Sequence, residues 1–311
     1  MKALVTGAAG FIGSHLTRRL VADGHEVVGF DDFSSGQVGN LAGVDAPLFE
    51  GDLRDPDAVR RAASDREVVF HQAAMKSVPR SIAEPLAFTE VNVLGTLHVL
   101  EAARAAGARV VFASSSSVYG DQDRYPVTEA MMPRPRSPYA ASKLAGESFC
   151  RAWWEGYGVP TVALRYLNVY GPGQDPASEY ASVIPRFIAA CLGGRDPVIH
   201  GDGEQARDFT YIDDVVEANL LAARMPEAAR GEVFNVGGGR TPTSINELLA
   251  NIAAAVGAEP RPVRGAAREG DIRISHADVS RARDVLGYTP AVDVREGLRR
   301  TVTWFRDRPT P

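Results

Sequence analysis

A glycine-rich turn near the start of the chain constrains the fold more than any other stretch. The apolar run Ala3–Val5 is typical of a buried parallel strand, and the sequence GAAGFIG follows it from Gly7. Leu16, Leu20 and Val21 then continue at helical spacing. A strand, small residues and a helix N-terminus in this order form a phosphate cradle, because free N–H groups face the anion. The opening stretch therefore predicts a nucleotide-binding unit.

Acidic residues follow the next two predicted strands. Asp31 comes after the strand 26–30, where a carboxylate can accept hydrogen bonds from an adenosine ribose and repels a 2′-phosphate. The segment from Asp32 through Ser34 and Ser35 to Gly36 contains no arginine that would bind such a phosphate, so NAD is favoured over NADP. Asp52, after a third strand, is expected to bond the adenine amino group. Its alternative role is to cap the helix that begins near Pro56.

Two further polar residues lie near predicted strand ends. His71 follows the apolar strand 68–70 and is interpreted as structural, because no catalytic partner is visible beside it. Asn92 lies among apolar positions of a helix predicted over residues 87–106. A buried amide must find a hydrogen-bond partner, and the nicotinamide-side ribose and the loop backbone both remain open.

Tyr139 and Lys143 are four residues apart, so on a helix both side chains project from one face. A free phenol has a pKa of about 10, and a nearby ammonium group is expected to lower it. A drop of roughly 3 units would make Tyr139 a general base at neutral pH. The serines 114–117 follow a predicted central strand, where a hydroxyl group lies in the ligand crevice of an open α/β sheet. One of them is expected to bond the substrate hydroxyl, and a plain serine-rich turn is the alternative.

Composition narrows the class of protein. The chain has 311 residues, of which 45% are hydrophobic and 23% charged, with a formal net charge of −5. This balance is typical of a globular protein and argues against a nucleic-acid surface. Two cysteines cannot form a disulfide framework, and no stretch approaches a membrane span. A short apolar N-terminus, no predicted metal site and no membrane partner lead us to expect a cytoplasmic protein.

The pattern of elements changes after Tyr166. We expect an α/β fold in which residues 1–166 form a dinucleotide-binding domain, with some later segments returning to it, and residues 167–311 form a smaller lobe. Predicted elements of this half are a helix over 182–192, strands at 198–200 and 232–236, and a helix over 245–256. Arg207 and Arg268 lie in its loops, where each could bind a diphosphate or simply be solvated.

These motifs together resemble the extended short-chain dehydrogenase/reductase family and, within it, the nucleotide-sugar 4-epimerases. The matching stretches are TGAAGFIGSH from Thr6, GDLRD from Gly51, SSSSVYG from Ser114, SPYAASK from Ser137, LRYLNVYGP from Leu164, GDGEQARDFTYIDD from Gly201 and REGD from Arg268. They span nearly the whole chain. The resemblance implies a Rossmann-type doubly wound parallel sheet, a smaller C-terminal α/β lobe for a UDP-sugar, and bound NAD. It also implies a homodimer packed through two long helices, here 87–106 and the helix from Tyr139.

The resemblance also implies roles for individual residues. The catalytic residues would be Ser115, Tyr139 and Lys143. The cofactor contacts would be Gly7, Gly10, Phe11, Ile12, Gly13, Asp31, Asp32, Ser34, Ser35, Gly36, Asp52, Leu53, Ala73, Ala74, Lys76, Asn92, Tyr139, Lys143 and Tyr166. The substrate contacts would be Lys76, Ser77, Ser115, Tyr139, Asn168, Val183, Arg207, Arg268, Asp271 and Ser275.

Departures from related patterns narrow the reaction. Related 4,6-dehydratases carry an Asp-Glu pair, and xylose-forming decarboxylases a Glu, where this chain has Ser116 and Ser117. Serine cannot carry the proton transfers of an elimination, so epimerisation at C4 is favoured. Tyr139 would take the 4-hydroxyl proton, and the 4-keto sugar would rotate before it is reduced on its other face. UDP-glucuronate 4-epimerase is the nearest alternative, and a non-catalytic NAD-binding protein of the same fold is a more distant one.

One position bears on the size of the sugar. Four residues after Asp271, relatives place a side chain beside the C2 substituent, where Tyr limits the pocket to hexoses and a small residue admits an N-acetyl group. Ser275 is small. The sequence therefore predicts turnover of UDP-GlcNAc and UDP-GalNAc, together with UDP-glucose and UDP-galactose.

Overall fold

A parallel β-sheet forms the centre of the molecule. The computed structural model describes residues 1–176, 182–267 and 272–307. The strands of this sheet are β1 (Lys2–Thr6), β2 (Glu26–Asp31), β3 (Leu48–Glu50), β4 (Val68–His71), β5 (Arg109–Ser115), β6 (Thr161–Tyr166) and a late strand, β11 (Glu232–Val236). Their order is β11-β6-β5-β4-β1-β2-β3, and every neighbouring pair is parallel. The predicted Rossmann-type doubly wound sheet is confirmed.

Helices cover both faces of this sheet. They are α1 (Phe11–Ala22), α2 (Pro56–Ala63), α5 (Gly95–Ala106) and α6 (Pro138–Tyr157), with α8 (Ile212–Ala223) and α10 (Ser280–Leu286) from the second half. The short helices α3 (Val78–Ala83) and α4 (Pro85–Phe88) pack on α6. The central strands are apolar and buried because helices lie on each side of them. No helix in the described part of the chain is long and apolar enough to cross a membrane.

The single helix predicted over residues 87–106 is wrong in detail. Thr89–Leu94 form a π-helical turn between α4 and α5, so the hydrogen-bond register shifts inside the run. Such turns occur frequently at functional sites. This one carries Asn92, which is buried. Apolar periodicity alone did not reveal the change of register, because α- and π-helical turns present similar faces over six residues.

A second apolar core lies in the C-terminal half. Its helices are α7 (Val183–Leu192), α9 (Ile245–Val256) and α11 (Val294–Arg306), and its short strands are β7 (Val169–Tyr170), β8 (Val198–His200), β9 (Ala206–Arg207), β10 (Thr210–Tyr211), β12 (Thr243–Ser244), β13 (Val263–Gly265) and β14 (Ile274–Ser275). Phe187, Ile188, Leu248 and Leu298 are buried at its centre.

Strand β11 has the residues that the sequence predicted, but it pairs with β6 in the central sheet. Helix α8 likewise packs into the core beneath that sheet. The boundary between residues 166 and 167 stays a prediction.

Candidate active site

The candidate cofactor residues lie along the carboxyl edge of the central sheet. They follow β1 (Gly7, Gly10, Phe11, Ile12, Gly13), β2 (Asp31, Asp32, Ser34, Ser35, Gly36), β3 (Asp52, Leu53) and β4 (Ala73, Ala74, Lys76), while Tyr166 ends β6. The strand order reverses between β1 and β4, and such a switch point opens a ligand crevice.

Two glycines of the turn after β1 have no room for a side chain. Gly7 has φ +69°, and a methyl group there would lie 2.7 Å from the backbone nitrogen of Ala73. At Gly13 a methyl group would lie 2.0 Å from the carbonyl oxygen of Gly7. Phe11 begins α1 directly after Gly10. The turn is therefore packed tightly against the start of a helix, and this geometry fits a dinucleotide pyrophosphate.

Asp31 joins the end of β2 to this turn. Its Oδ2 accepts a hydrogen bond from the Ala9 N–H at 2.8 Å, and its Oδ1 accepts one from the Phe33 N–H at 2.9 Å. Burial raises the pKa of the carboxyl, and these two bonds oppose the rise. A methyl group at Gly36 would lie 2.9 Å from Oδ1, so the 32–36 segment folds closely over the carboxylate. Asp31 keeps lone pairs that fit the hydroxyls of a ribose.

Asp52 has a partner that the sequence did not reveal. Arg54 donates to it from Nε and Nη2, and this bonding holds the pKa of Asp52 below its ordinary value. The alternative role as a helix cap is wrong, because Asp55 caps α2 by accepting from the N–H groups of Asp57 and Ala58. Asp52 stays a predicted adenine contact.

The loop after β4 depends on Asn92. Its Oδ1 accepts from the Met75 N–H at 2.8 Å, and its Nδ2 donates to the Met75 carbonyl at 3.0 Å and to Ser142 Oγ at 3.0 Å. Two partners were open for this amide, and in the structure it binds the loop backbone. Ser77, with φ +96°, caps α3 through its hydroxyl, and Lys76 beside it is exposed.

His71 has the structural role that was predicted for it. Its ring nitrogens hydrogen-bond Thr6 Oγ1 at 2.8 Å and Thr96 Oγ1 at 3.0 Å. Burial lowers its pKa to about 3, so the ring is neutral.

Tyr139, Lys143 and Ser115 meet where α6 crosses the end of β5. Ser137 caps the helix by accepting from the Ala140 N–H, and Pro138 occupies its first position, so the local sequence fixes where α6 begins. Ser115 Oγ accepts from the N–H and the hydroxyl of Ser117 at 3.2 and 2.9 Å. Its own proton is thereby free to point towards the Tyr139 phenol, which is partly buried and whose pKa the Ser115 hydroxyl lowers.

The prediction that Lys143 lowers the pKa of Tyr139 is wrong in this structure. Burial raises the pKa of Tyr139, and only the Ser115 hydrogen bond opposes the rise. Lys143 Nζ donates instead to the carbonyl of Ala113 at 2.8 Å and lies 5.1 Å from the ring centre of Phe112. Burial also lowers the pKa of Lys143 to about 8. Sequence spacing placed both residues on one face but could not include the cost of desolvation.

Gln72, Tyr166 and Asn219 form a hydrogen-bonded group below the crevice. Asn219, on α8, donates from Nδ2 to the Tyr166 hydroxyl at 2.8 Å, and Gln72 Nε2 donates to Asn219 Oδ1 at 3.0 Å. The sequence analysis found Tyr166 and missed the other two residues. Their sequence separation of 147 residues left no local signal.

Three of the candidate substrate residues line a cavity of about 550 Å³, whereas Ser115 and Tyr139 are not among its lining residues. Asn168, Val183 and Arg207 line it together with Phe187 and Phe209. Ser275 is the strand partner of Arg207, and its Oγ accepts from Asn168 Nδ2 at 3.1 Å. Ser77 and Lys76 precede Val78, which also lines the cavity. Arg268 and Asp271 lie outside the described residues.

Comparison with known proteins identifies the family. The profile of the NAD dependent epimerase/dehydratase family matches residues 3–237. The chain belongs to this family. The predicted resemblance to extended short-chain dehydrogenases is therefore confirmed, and NAD is the cofactor of the family.

Three similar proteins are 4-epimerases. A UDP-glucose 4-epimerase of Mycolicibacterium smegmatis is 46% identical over 99% of both chains. The structure of a UDP-N-acetylglucosamine 4-epimerase from Methanobrevibacter ruminantium, in complex with UDP-N-acetylmuramic acid, has a TM-score of 0.92 and 40% identity over 98% of both chains. The structure of a Thermus thermophilus UDP-glucose 4-epimerase in complex with NAD has a TM-score of 0.90 and 38% identity over 99% of both chains.

Proposed function

We propose that this protein is an NAD-dependent 4-epimerase of UDP-hexoses. It would interconvert UDP-GlcNAc with UDP-GalNAc, and UDP-glucose with UDP-galactose, through a 4-keto intermediate. The contact that carries the proposal is the one between Tyr139 and Ser115, formed where α6 meets the carboxyl end of β5 with Lys143 one helical turn away. The tight glycine turn and the buried Asp31 at the same edge support NAD as the cofactor.

Bound NAD would supply a reversible acceptor for the hydride of C4. Tyr139 would take the proton of the 4-hydroxyl and return it to the opposite epimer. With the sugar bound, Ser115 would turn its one proton from the Tyr139 phenol to the reacting oxygen, since Ser117 already satisfies its acceptor capacity. Lys143 would hold the nicotinamide ribose and provide positive charge near the phenol. Burial of Tyr139 makes that charge necessary, because burial favours the protonated phenol.

The side chains after Ser115 support epimerisation over elimination. Ser116 and Ser117 occupy the short turn 116–119, and the Ser117 hydroxyl is used as a donor to Ser115. A hydroxyl group with a pKa far above 7 cannot exchange protons at C5 and C6 as a carboxylate does. The described residues therefore offer no acid–base pair for dehydration at this turn.

The direct test is to incubate the purified protein separately with UDP-GlcNAc, UDP-glucose and UDP-glucuronate and to follow the C4 epimers. We expect turnover of the first two, without accumulation of NADH. Tyr139→Phe should abolish turnover and still retain NAD. Turnover of UDP-glucuronate alone would replace the proposed substrate, and a near-native rate in Tyr139→Phe would exclude this residue as the base.

We also propose that Ser275 leaves room for the N-acetyl group. Its side chain is bonded to Asn168 and adjoins Arg207, next to the cavity. Ser275→Tyr should lower turnover of UDP-GlcNAc about tenfold or more relative to UDP-glucose, because a misfit in a pocket changes specificity by this order. Ser275→Ala is the matched control and should keep the ratio. An unchanged ratio in Ser275→Tyr would remove Ser275 as the gate.

We propose that the protein acts as a homodimer. Ile82, Leu86 and Leu94, on and between α3 and α5, are 64%, 78% and 45% exposed. Phe149 and Trp153 on α6 pack partly against the subunit's own core. An exposed apolar group beside α6 is typical of a protein–protein contact, so we assign the dimer surface to these three residues.

A further inference from the structure

Three successive turns of α6 face three successive residues at the end of β5. Tyr139 lies beside Ser115, whose hydroxyl lowers the pKa of the phenol, and Lys143 Nζ donates to the Ala113 carbonyl at 2.8 Å. One turn further along, Glu147 Oε1 accepts from Ser114 Oγ at 2.5 Å. The third contact has the same spacing as the first two, so Glu147 lies on the helix face that carries the proposed catalytic pair.

The Glu147 carboxylate is fixed on its other side by Arg165 of β6. Arg165 Nε donates to Oε1 at 2.8 Å, and Nη2 donates to Oε2 at 2.7 Å. Both side chains are only 4% exposed. The guanidinium also stacks over the ring of Tyr119, 4.6 Å from its centre. Two parallel charge-assisted bonds to a planar guanidinium fix both the place and the orientation of the buried carboxylate.

We propose that Glu147 is a positioning residue for Lys143 and Ser115. Its fixed carboxylate holds the end of β5 against α6, so that Ser115 stays on Tyr139, and it keeps the side chain of Lys143 as an ammonium ion. The catalytic meaning of this role rests on the proposed epimerase function. The placement and the charge can be measured without turnover.

The charge part follows from what surrounds Lys143. The titratable groups that interact with the ammonium are Cys150 and Glu147 on α6 and His71 on β4. Tyr139 lies one helical turn away on α6, and Arg165 on β6 lies behind Glu147. Burial lowers the pKa of Lys143, and negative charge on Cys150 or Glu147 would oppose this. Burial raises the pKa of the Cys150 thiol far above neutrality, so Cys150 carries no charge there. Among these groups Glu147 is the carboxylate, and it is paired with the Arg165 guanidinium.

The test uses a favourable feature of the sequence. The chain has three lysines, of which Lys2 and Lys76 are exposed or partly exposed and Lys143 is buried. Labelling lysine Cε with ¹³C therefore gives three NMR signals whose titration can be followed singly. Glu147→Gln keeps the shape of the side chain and removes its charge. We expect the Lys143 titration to move down by about one pH unit or more, the order that Coulomb's law gives at one helical turn.

The matched control is Glu155→Gln. Glu155 lies on the same helix and is exposed, where it forms a surface ion pair with Arg151 at 2.8 Å. The same substitution there should leave the Lys143 titration where it is in the wild type. An unshifted Lys143 titration in Glu147→Gln would overturn the charge part of the proposal.

Ser114→Ala tests the positioning part and leaves the buried ion pair in place. We expect kcat for UDP-glucose or UDP-GlcNAc to fall about tenfold with KM changed less than twofold, and Ser114→Thr to restore most of the rate, since it keeps the hydroxyl. A wild-type kcat in Ser114→Ala would overturn this part, and it decides the matter even if Glu147→Gln fails to fold. If the wild type turns over no UDP-hexose, the proposed function fails, while the lysine titration still decides the role of Glu147.

Discussion

Replacing Asn92 by Leu tests how the loop after β4 is held in place. Asn92 is 3% exposed, and its amide binds both backbone groups of Met75 and the Ser142 hydroxyl. Leu has a similar volume and none of these hydrogen bonds. The substitution therefore removes the hydrogen bonds without leaving a large cavity.

The expected cost follows from the two backbone groups of Met75. A buried donor or acceptor that loses its partner costs about 1–3 kcal/mol. Met75 is only partly buried, so we take about 1.5 kcal/mol for each group. The free energy of opening the loop should fall by about 3 kcal/mol, which is roughly a 150-fold change in the opening equilibrium.

Amide hydrogen exchange measures this opening at the residue concerned. We expect the Met75 N–H to lose about 100-fold or more of its protection, and the affinity for NAD to fall because the same loop carries Ala73 and Lys76. Asn251→Leu, at a half-buried position on α9, is the control and should leave Met75 protected. Protection of Met75 within threefold of the wild type in Asn92→Leu would refute the reasoning.

Three further predictions follow from single positions. Gly13→Ala should abolish NAD binding, measured by calorimetry, because the new methyl group would lie 2.0 Å from the Gly7 carbonyl oxygen, whereas Gly156→Ala on α6 has open space and should bind NAD normally. Lys143→Met should stabilise the chain at pH 7 by up to about 3 kcal/mol, since the pKa falls from 10.5 to about 8 on folding. Burial of the charge destabilises the wild type below pH 8, so the difference in denaturant midpoint should shrink between pH 8 and 10.5, and a constant difference would contradict this cause. Leu86→Glu should give monomers in light scattering. Met132, which is 77% exposed and lies outside the proposed dimer surface, is the control, and Met132→Glu should stay a dimer. A dimer in both variants would show that Leu86 is not in the interface.

Much of the catalytic edge could be predicted because its signals are local. The GAAGFIG turn, the apolar strand before it and the capped start of α6 are each encoded within about ten residues. Glu147 could have been found in the same way, since it follows Lys143 by one helical turn. It was missed because a lone glutamate on a helix is usually solvated. Its burial depends on Arg165, which lies 18 residues away on strand β6.

The sequence alone determined the parallel α/β fold and the helix face shared by Tyr139 and Lys143, since periodicity and turn chemistry act over short distances. The tertiary structure alone decided how those groups are charged and bonded. In the tertiary structure β11 pairs with β6 in the central sheet, Lys143 donates to the Ala113 carbonyl, and Arg165 forms an ion pair with Glu147. The tertiary structure also set the pKa of Tyr139 above that of a free phenol. Desolvation and pairing between distant residues cause these effects, and neither can be inferred from residues that are neighbours in the sequence.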